Sequence, residues 1–316
     1  MLPDGPPLDS GAMPRPLKVG VQLPEVERLV RWPELREMAQ TAEAVGFDSL
    51  WVGDHLLYRR PLDIVGPWEA WSTLAALAEA TKRVEIGPLV ASTSFHNPAM
   101  LAKKAAAVDE ISGGRLILGL GAGWNEPEYT AYGFPFDRRA SRFEEAFTII
   151  RSLLRDGYVD FAGEFYQVRH CHLVPRGPRS AGPPLMIGSA GRRLLNFTAP
   201  HMDAWNAWHD WFGNTPDGLV PYLVALDEAC SAAGRDPAEV ERTVTVLVQL
   251  PGGTGRAAGG EIAKPTPPIR GSSEELAQVL HEYAALGVGH VQLVVDPITV
   301  GSIEECARVL EILDRD

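Results

Sequence analysis

Two hydrophobic rhythms alternate along the chain. Short, nearly unbroken apolar runs recur at Leu17 to Leu23, Phe47 to Val52, Val84 to Ala91, Leu116 to Leu120, Leu185 to Gly188, Ala204 to Asn206, Val244 to Leu250 and Val291 to Val295. Runs that are apolar throughout, rather than alternating, predict strands of a parallel sheet covered on both faces. Between them lie stretches with helical spacing. Leu35, Met38, Ala42 and Val45 share one face, Pro33 stands at a favoured first-turn position and Gly46 is a stop. Leu101, Ala105, Val108 and Ile111 do the same behind Asn97-Pro98. Further helices are expected over Trp68 to Ala80, Arg142 to Leu154, Arg192 to Pro200 and Leu219 to Ala233. Ser272 with Glu275, and Ser302 with Glu305, have capping-box spacing before the last two.

Eight strand–helix units predict an α/β fold, a (β/α)8 TIM barrel over residues 17–316, in preference to a doubly wound sheet with an appended domain. No composition shift marks a boundary. Met1 to Pro16, rich in Pro and Gly without an apolar segment, reads as a disordered tail and not as a signal peptide. Three segments exceed ordinary loop length: Gly121 to Ala140 after strand four, Gly157 to Pro183 before strand five and Pro251 to Gly271 after strand seven. The second predicts a hairpin around Asp160 to Tyr166. The third is expected to be mobile, a candidate lid.

Composition narrows the function. The chain has 316 residues, 45% of them apolar, and a formal net charge of −12. An acidic chain is a poor general nucleic-acid binder. No apolar run approaches the ~18 residues of a membrane span. Cys171, Cys230 and Cys306 are few, odd in number and scattered, so a disulfide framework is not expected and a reducing cytoplasm is the simplest home.

Candidate chemistry lies just past the strand ends, where barrel active sites are built. Asp54-His55 follows the second strand; His exchanges protons near neutral pH and an adjacent Asp can orient it. Ser92, Thr93, Ser94, His96 and Asn97 cluster after the third. Gly119-Leu120-Gly121-Ala122-Gly123-Trp124-Asn125 follows the fourth; it lacks the last Gly of a dinucleotide fingerprint, and its glycines would let a flat ligand approach the backbone. Gly188-Ser189-Ala190-Gly191-Arg192-Arg193 opens a helix after the fifth strand, where free N–H groups and two arginines suit a phosphate, or where a tight turn simply carries solvated arginines. His170 and His172 share a strand face, but no third ligand is near, so no metal site is expected. A metal-dependent hydrolase would have only Asp54, Glu126 and Asp296 to use.

Taken together, Gly46 to His55, Asn97 to Lys103, Ser112 to Leu116, Gly119 to Tyr129, Ile187 to Gly191 and Asp203 to Asn206 resemble the bacterial luciferase-like superfamily of flavin- and deazaflavin-dependent oxidoreductases, in order and spacing, from Leu17 to about Asp314. The resemblance implies a flavin-like cofactor at the strand C-termini. It implies a non-prolyl cis peptide at Leu89–Val90 under the tricyclic ring and a phosphate held by Gly188, Ser189, Ala190, Gly191 and Arg192. Ser92 would lie at the ring edge, with Asp54 and His55 near the reactive carbon. Asp-His after strand two and Gly123-Trp124-Asn125 with Glu128 after strand four are more similar to the deazaflavin branch than to the FMN monooxygenases. Coenzyme F-420 is therefore the implied cofactor, FMN the alternative, and hydride transfer to or from a small organic substrate the implied chemistry, with His55 as acid or base. A non-catalytic flavin-binding homologue is a further alternative. Where deazaflavin sugar-phosphate dehydrogenases carry a catalytic Glu, this chain has Trp124. That favours a more apolar substrate, for which Trp68, Trp71, Trp208, Trp211 and Phe212 are candidate walls. The resemblance also implies a possible homodimer.

Overall fold

The computed structural model describes residues 15–256 and 266–315. Eight parallel strands form its inner layer: β1 (Lys18–Gln22), β2 (Ser49–Val52), β3 (Glu85–Pro88, resuming at Ala91–Ser92), β4 (Leu118–Gly121), β5 (Leu185–Gly188), β6 (Ala204–Trp208), β7 (Glu241–Gln249) and β8 (Val288–Asp296). They pair in the order β2, β1, β8, β7, β6, β5, β4, with β3 joining both ends: its first half pairs with β2 and its second half with β4. A bridge between Ile86 and Leu116 completes the ring. This is the expected (β/α)8 barrel. β3 is interrupted at a cis peptide, Leu89–Val90, where the resemblance implies one.

One helix follows each strand: α1 (Trp32–Val45), α2 (Ala70–Ala80), α3 (Pro98–Ser112), α4 (Arg139–Asp156), α5 (Arg192–Thr198), α6 (Pro216–Ala232), α7 (Ser273–Ala285) and α8 (Val300–Leu313). Their punctuation is largely that of the sequence. Gly46 ends α1 in the left-handed region, Asn97 accepts from the Met100 N–H, and the Ser272–Glu275 capping box is complete. The second expected box does not form: α8 is capped by Thr299, whose hydroxyl accepts the Ser302 N–H, and Ser302 lies inside the helix. Ile111 also departs from expectation. It is 47% exposed, because the end of α3 turns Asp109 inward to the Arg179 guanidinium and the Leu116 N–H.

Strand side chains alternate between two apolar layers. Val19, Val21 and Leu50 face the helices; Trp51, Ile117 and Met186 fill the barrel interior. The interior also carries polar groups in mutual hydrogen bonds. The Asn206 amide donates to Thr243 Oγ1 (2.8 Å) and Gln292 Oε1 (2.7 Å), and Trp51 Nε1 donates to Ser49 Oγ (2.7 Å).

The segment before β5 contains the expected hairpin, Tyr158–Ala162 against Gln167–His172. His170 and His172 both face Tyr158, whose hydroxyl is 3.3 Å from His170 Nδ1 and whose ring centre is 4.7 Å from that of His172. Residues 1–14 of the expected tail, and 257–265 of the expected mobile loop, lie outside the described residues. Arg15 is held by Asp48 (3.2 Å) and Asp314 (2.7 Å). Among the described residues, no helix is long and apolar enough to cross a membrane.

Candidate active site

The loops after β1, β2, β4 and β7 converge over the C-terminal ends of the strands around a cavity of about 850 Å³. Val90 forms part of its floor. The Val90 side chain lies across the ends of β4 and β5, and a Cβ on Gly121 or Gly188 would come within 2.8 or 2.9 Å of it. Only glycine lets the three backbones close up there.

Asp54, buried, and His55, half-buried, stand at the end of β2 and are held by different partners. Asp54 Oδ2 accepts from the Ser92 N–H (2.9 Å) and lies 2.8 Å from His96 Nε2, so it ties β2 to the segment after β3. His55 Nδ1 is 2.7 Å from Glu128 Oε1, and Glu128 Oε2 accepts from the Leu56 N–H (2.7 Å). Glu128 is placed by the short helix Glu126–Tyr132, with Pro127 in its first turn. With Nδ1 engaged, Nε2 is left on the Glu25 side of the cavity, 3.9 Å from Glu25 Oε1. Burial works against a charged His55, but Glu25, Glu128 and Asp54 outweigh it and raise its pKa above the ordinary histidine value.

Glu25 anchors the other side. It accepts from Gln22 Nε2 (2.6 Å), from the Tyr58 hydroxyl (2.5 Å) and from the Arg256 guanidinium (3.2 Å). Burial and the Glu25 carboxylate push the Tyr58 pKa well up, so the phenol stays protonated and donates. Arg256 also donates to Glu27 (2.7 Å), whose pKa is lowered against its own burial.

Most of the residues singled out in the sequence reach this cavity. Asp54, His55 and Ser92 line one side, Leu89 and Val90 the floor, Gly123 and Trp124 the β4 side, and Gly188, Ser189 and Ala190 the β5 side. Three do not. Gly191 is outside the wall. Asn125 spends its amide on the Leu57 carbonyl (2.9 Å), and Arg192 turns to Glu228 on α6 (2.9 Å). Ser92 Oγ is engaged with the Tyr129 hydroxyl (2.8 Å). Of the expected aromatic wall, Trp208 and Trp211 line the cavity. Trp68 instead donates to the Val30 carbonyl, and Trp71 and Phe212 pack in the core between barrel and helices. Glu25, Tyr58 and Arg256 were not singled out. The one trace of the first is an acid pair, Glu25 and Glu27, directly after a strand end.

The profile of the luciferase-like monooxygenase family matches residues 15–251. The chain belongs to that family. Its curated relatives include an F-420-dependent glucose-6-phosphate dehydrogenase of Amycolatopsis mediterranei, 34% identical over 224 residues, which are 67% of this chain and 64% of that protein. The pyrimidine monooxygenase RutA of Methylorubrum populi is 34% identical over 176 residues, 53% of this chain and 45% of that one. The chain thus spans less than two thirds of either relative. An F-420-dependent secondary alcohol dehydrogenase, solved in complex with an F-420–acetone adduct, superimposes with a TM-score of 0.79 over 95% of this chain and 99% of that one. At 21% identity that likeness shows the fold.

Proposed function

We propose that this chain is an oxidoreductase that binds coenzyme F-420 and exchanges hydride with a small organic substrate, with His55 as the proton donor and acceptor. The observation that carries this reading is the His55–Glu128 pair on the wall of a cavity whose floor is formed by Val90 seated on Gly121 and Gly188. The residues present fit the cofactor. A cavity of about 850 Å³ is of a size for a small-molecule cofactor. Its floor offers the Val90 side chain, seated on Gly121 and Gly188, as an apolar surface for a planar ring, and the Ser189–Ala190 turn offers small residues for a phosphate. His209, buried on the wall, has no hydrogen-bond partner for Nε2. When bound, a deazaflavin supplies a ring carbon that gives or accepts hydride.

The protein's own part is the proton. Glu128 fixes the His55 ring through Nδ1, so the exchangeable proton is on Nε2, and the surrounding carboxylates favour the protonated ring. Asp54 braces the same segment through Ser92 and His96. The similarity to RutA supports a second reading, an FMN-dependent monooxygenase.

A side-by-side titration of the purified protein with F-420 and FMN, followed by fluorescence, separates these readings. Tight F-420 binding with weak FMN binding is the expected result. The reverse selects the oxygen-using reading, and binding of neither selects a non-catalytic homologue.

A further inference from the structure

Among the described residues, Arg256 is the buried cation of the cavity wall, and it is already neutralised. Its side chain is 7% exposed; Nε donates to Glu27 Oε1 (2.7 Å), and a terminal nitrogen donates to Glu25 Oε2 (3.2 Å). The guanidinium carbon also lies 5.3 Å from the centre of the Trp208 ring. Glu27 is fixed in turn by the N–H groups of Glu25 (2.7 Å) and Val26 (3.0 Å). The other described arginine on the wall, Arg270, is exposed and donates to Gln249 Oε1 (2.5 Å). Besides these two cations the wall presents Glu25, Asp54, Glu128, Asp210 and Asp296. A phosphate or carboxylate needs an available guanidinium, ammonium or N–H cluster to replace its water. On the His55 side the charges are matched or acidic. The surface there is aromatic: the Tyr58 and Trp124 rings lie 4.8 and 5.6 Å from the His55 ring, and Trp124 is 55% exposed.

We infer that the substrate is an uncharged alcohol or carbonyl compound with an apolar or aromatic body, and that Glu25 and Glu27 exclude anionic substrates such as phosphate esters by occupying Arg256. The inference rests on the proposed function, since it places the substrate oxygen at His55 Nε2. In the reducing direction the carbonyl carbon receives hydride from the reduced deazaflavin. The C=O π bond breaks, and the oxygen takes the Nε2 proton. Oxidation of the alcohol is the reverse. The cofactor's own phosphate would lie on the β5 side, away from Arg256.

The test is calorimetric titration of the F-420-loaded protein with a matched pair, benzyl alcohol and benzyl phosphate. The wild type should bind the alcohol at least roughly tenfold more tightly. Glu27→Gln, nearly isosteric, releases one arm of Arg256 and should strengthen benzyl phosphate binding by about tenfold, a gain removed by adding Arg256→Met. Should Glu27→Gln not fold, Glu25→Gln serves the same purpose from the other arm. Equal or tighter phosphate binding by the wild type overturns the inference. So does binding of neither probe, or an unchanged phosphate affinity when Arg256 is released. If F-420 fails to bind but the free protein still discriminates between the probes, the cofactor reading fails and the charge rule stands. If F-420 binds and discrimination is absent, only the charge rule fails.

Discussion

His290 is buried and His55 half-buried, and the barrel treats their protons in opposite ways. His290 lies in the lumen on β8, with Nε2 2.7 Å from Ser49 Oγ. Burial, helped by the Lys18 charge, pushes its pKa down to about 3. His55 sits at the C-terminal rim and also meets a burial penalty, but Glu25, Glu128 and Asp54 overcome it and the pKa rises. Burial alone makes a neutral core histidine; burial with carboxylates within hydrogen-bond and ion-pair distance makes one that holds a proton where a ligand can reach it. That difference separates site from core here.

The largest effect should come from removing the rim histidine. His55→Ala should lower kcat by about 10²- to 10⁴-fold, the range for a positioned general acid or base. F-420 affinity should stay within roughly threefold of wild type. A loss of less than tenfold in kcat would place the proton elsewhere.

Next is the lumen histidine, read in stability. Its folded pKa is depressed, so its contribution is present above the unfolded value of 6.5 and is lost as pH falls from there toward about 3. Urea midpoints measured from pH 7 down to pH 4 should fall, and His290→Gln should flatten that fall. The shift is worth several kcal/mol at most. Equal acid slopes in the two proteins would contradict a neutral His290.

A smaller effect should follow from Glu128→Gln. The His55 pKa should drop, cutting carbonyl reduction by roughly tenfold at neutral pH and less in acid, where the imidazolium persists without help. The stability that this pair contributes is present below pH 6.5 and fades as pH rises through the raised folded value, so the variant should lose stability on the acid side only. The smallest effect belongs to Arg192→Ala. Its guanidinium pairs with Glu228 and is outside the cavity, so F-420 affinity should change by less than about threefold.

The barrel was legible because its signals are local. Wholly apolar runs such as Leu118–Gly121 are strands covered on both faces, and Pro33, Gly46 and Asn97-Pro98 carry their own backbone instructions. Asp54 and His55 were legible as chemistry because they stand where a strand ends. Arg192 shows the limit of that logic. A cation opening a helix reads the same whether it faces the cavity or, as here, a glutamate on the next long helix. The Glu25–Tyr58–Arg256 network was illegible for a related reason. Its members come from loops after β1, β2 and β7, Arg256 and Glu25 are 231 positions apart, and their meeting depends on closure of the barrel. Ile111 reads as part of a buried face until Arg179, a distant loop residue, claims Asp109 beside it.

The comparison is tested most directly by following the histidine ring resonances of ¹⁵N-labelled protein against pH, with His55→Ala and His290→Gln supplying the assignments. His55 should titrate above 6.5 and His290 should stay neutral to well below pH 5. If both titrate near 6.5, or if His55 loses its proton before the ordinary histidine value is reached, the carboxylates at the rim do not hold the proton and the account of the site is wrong.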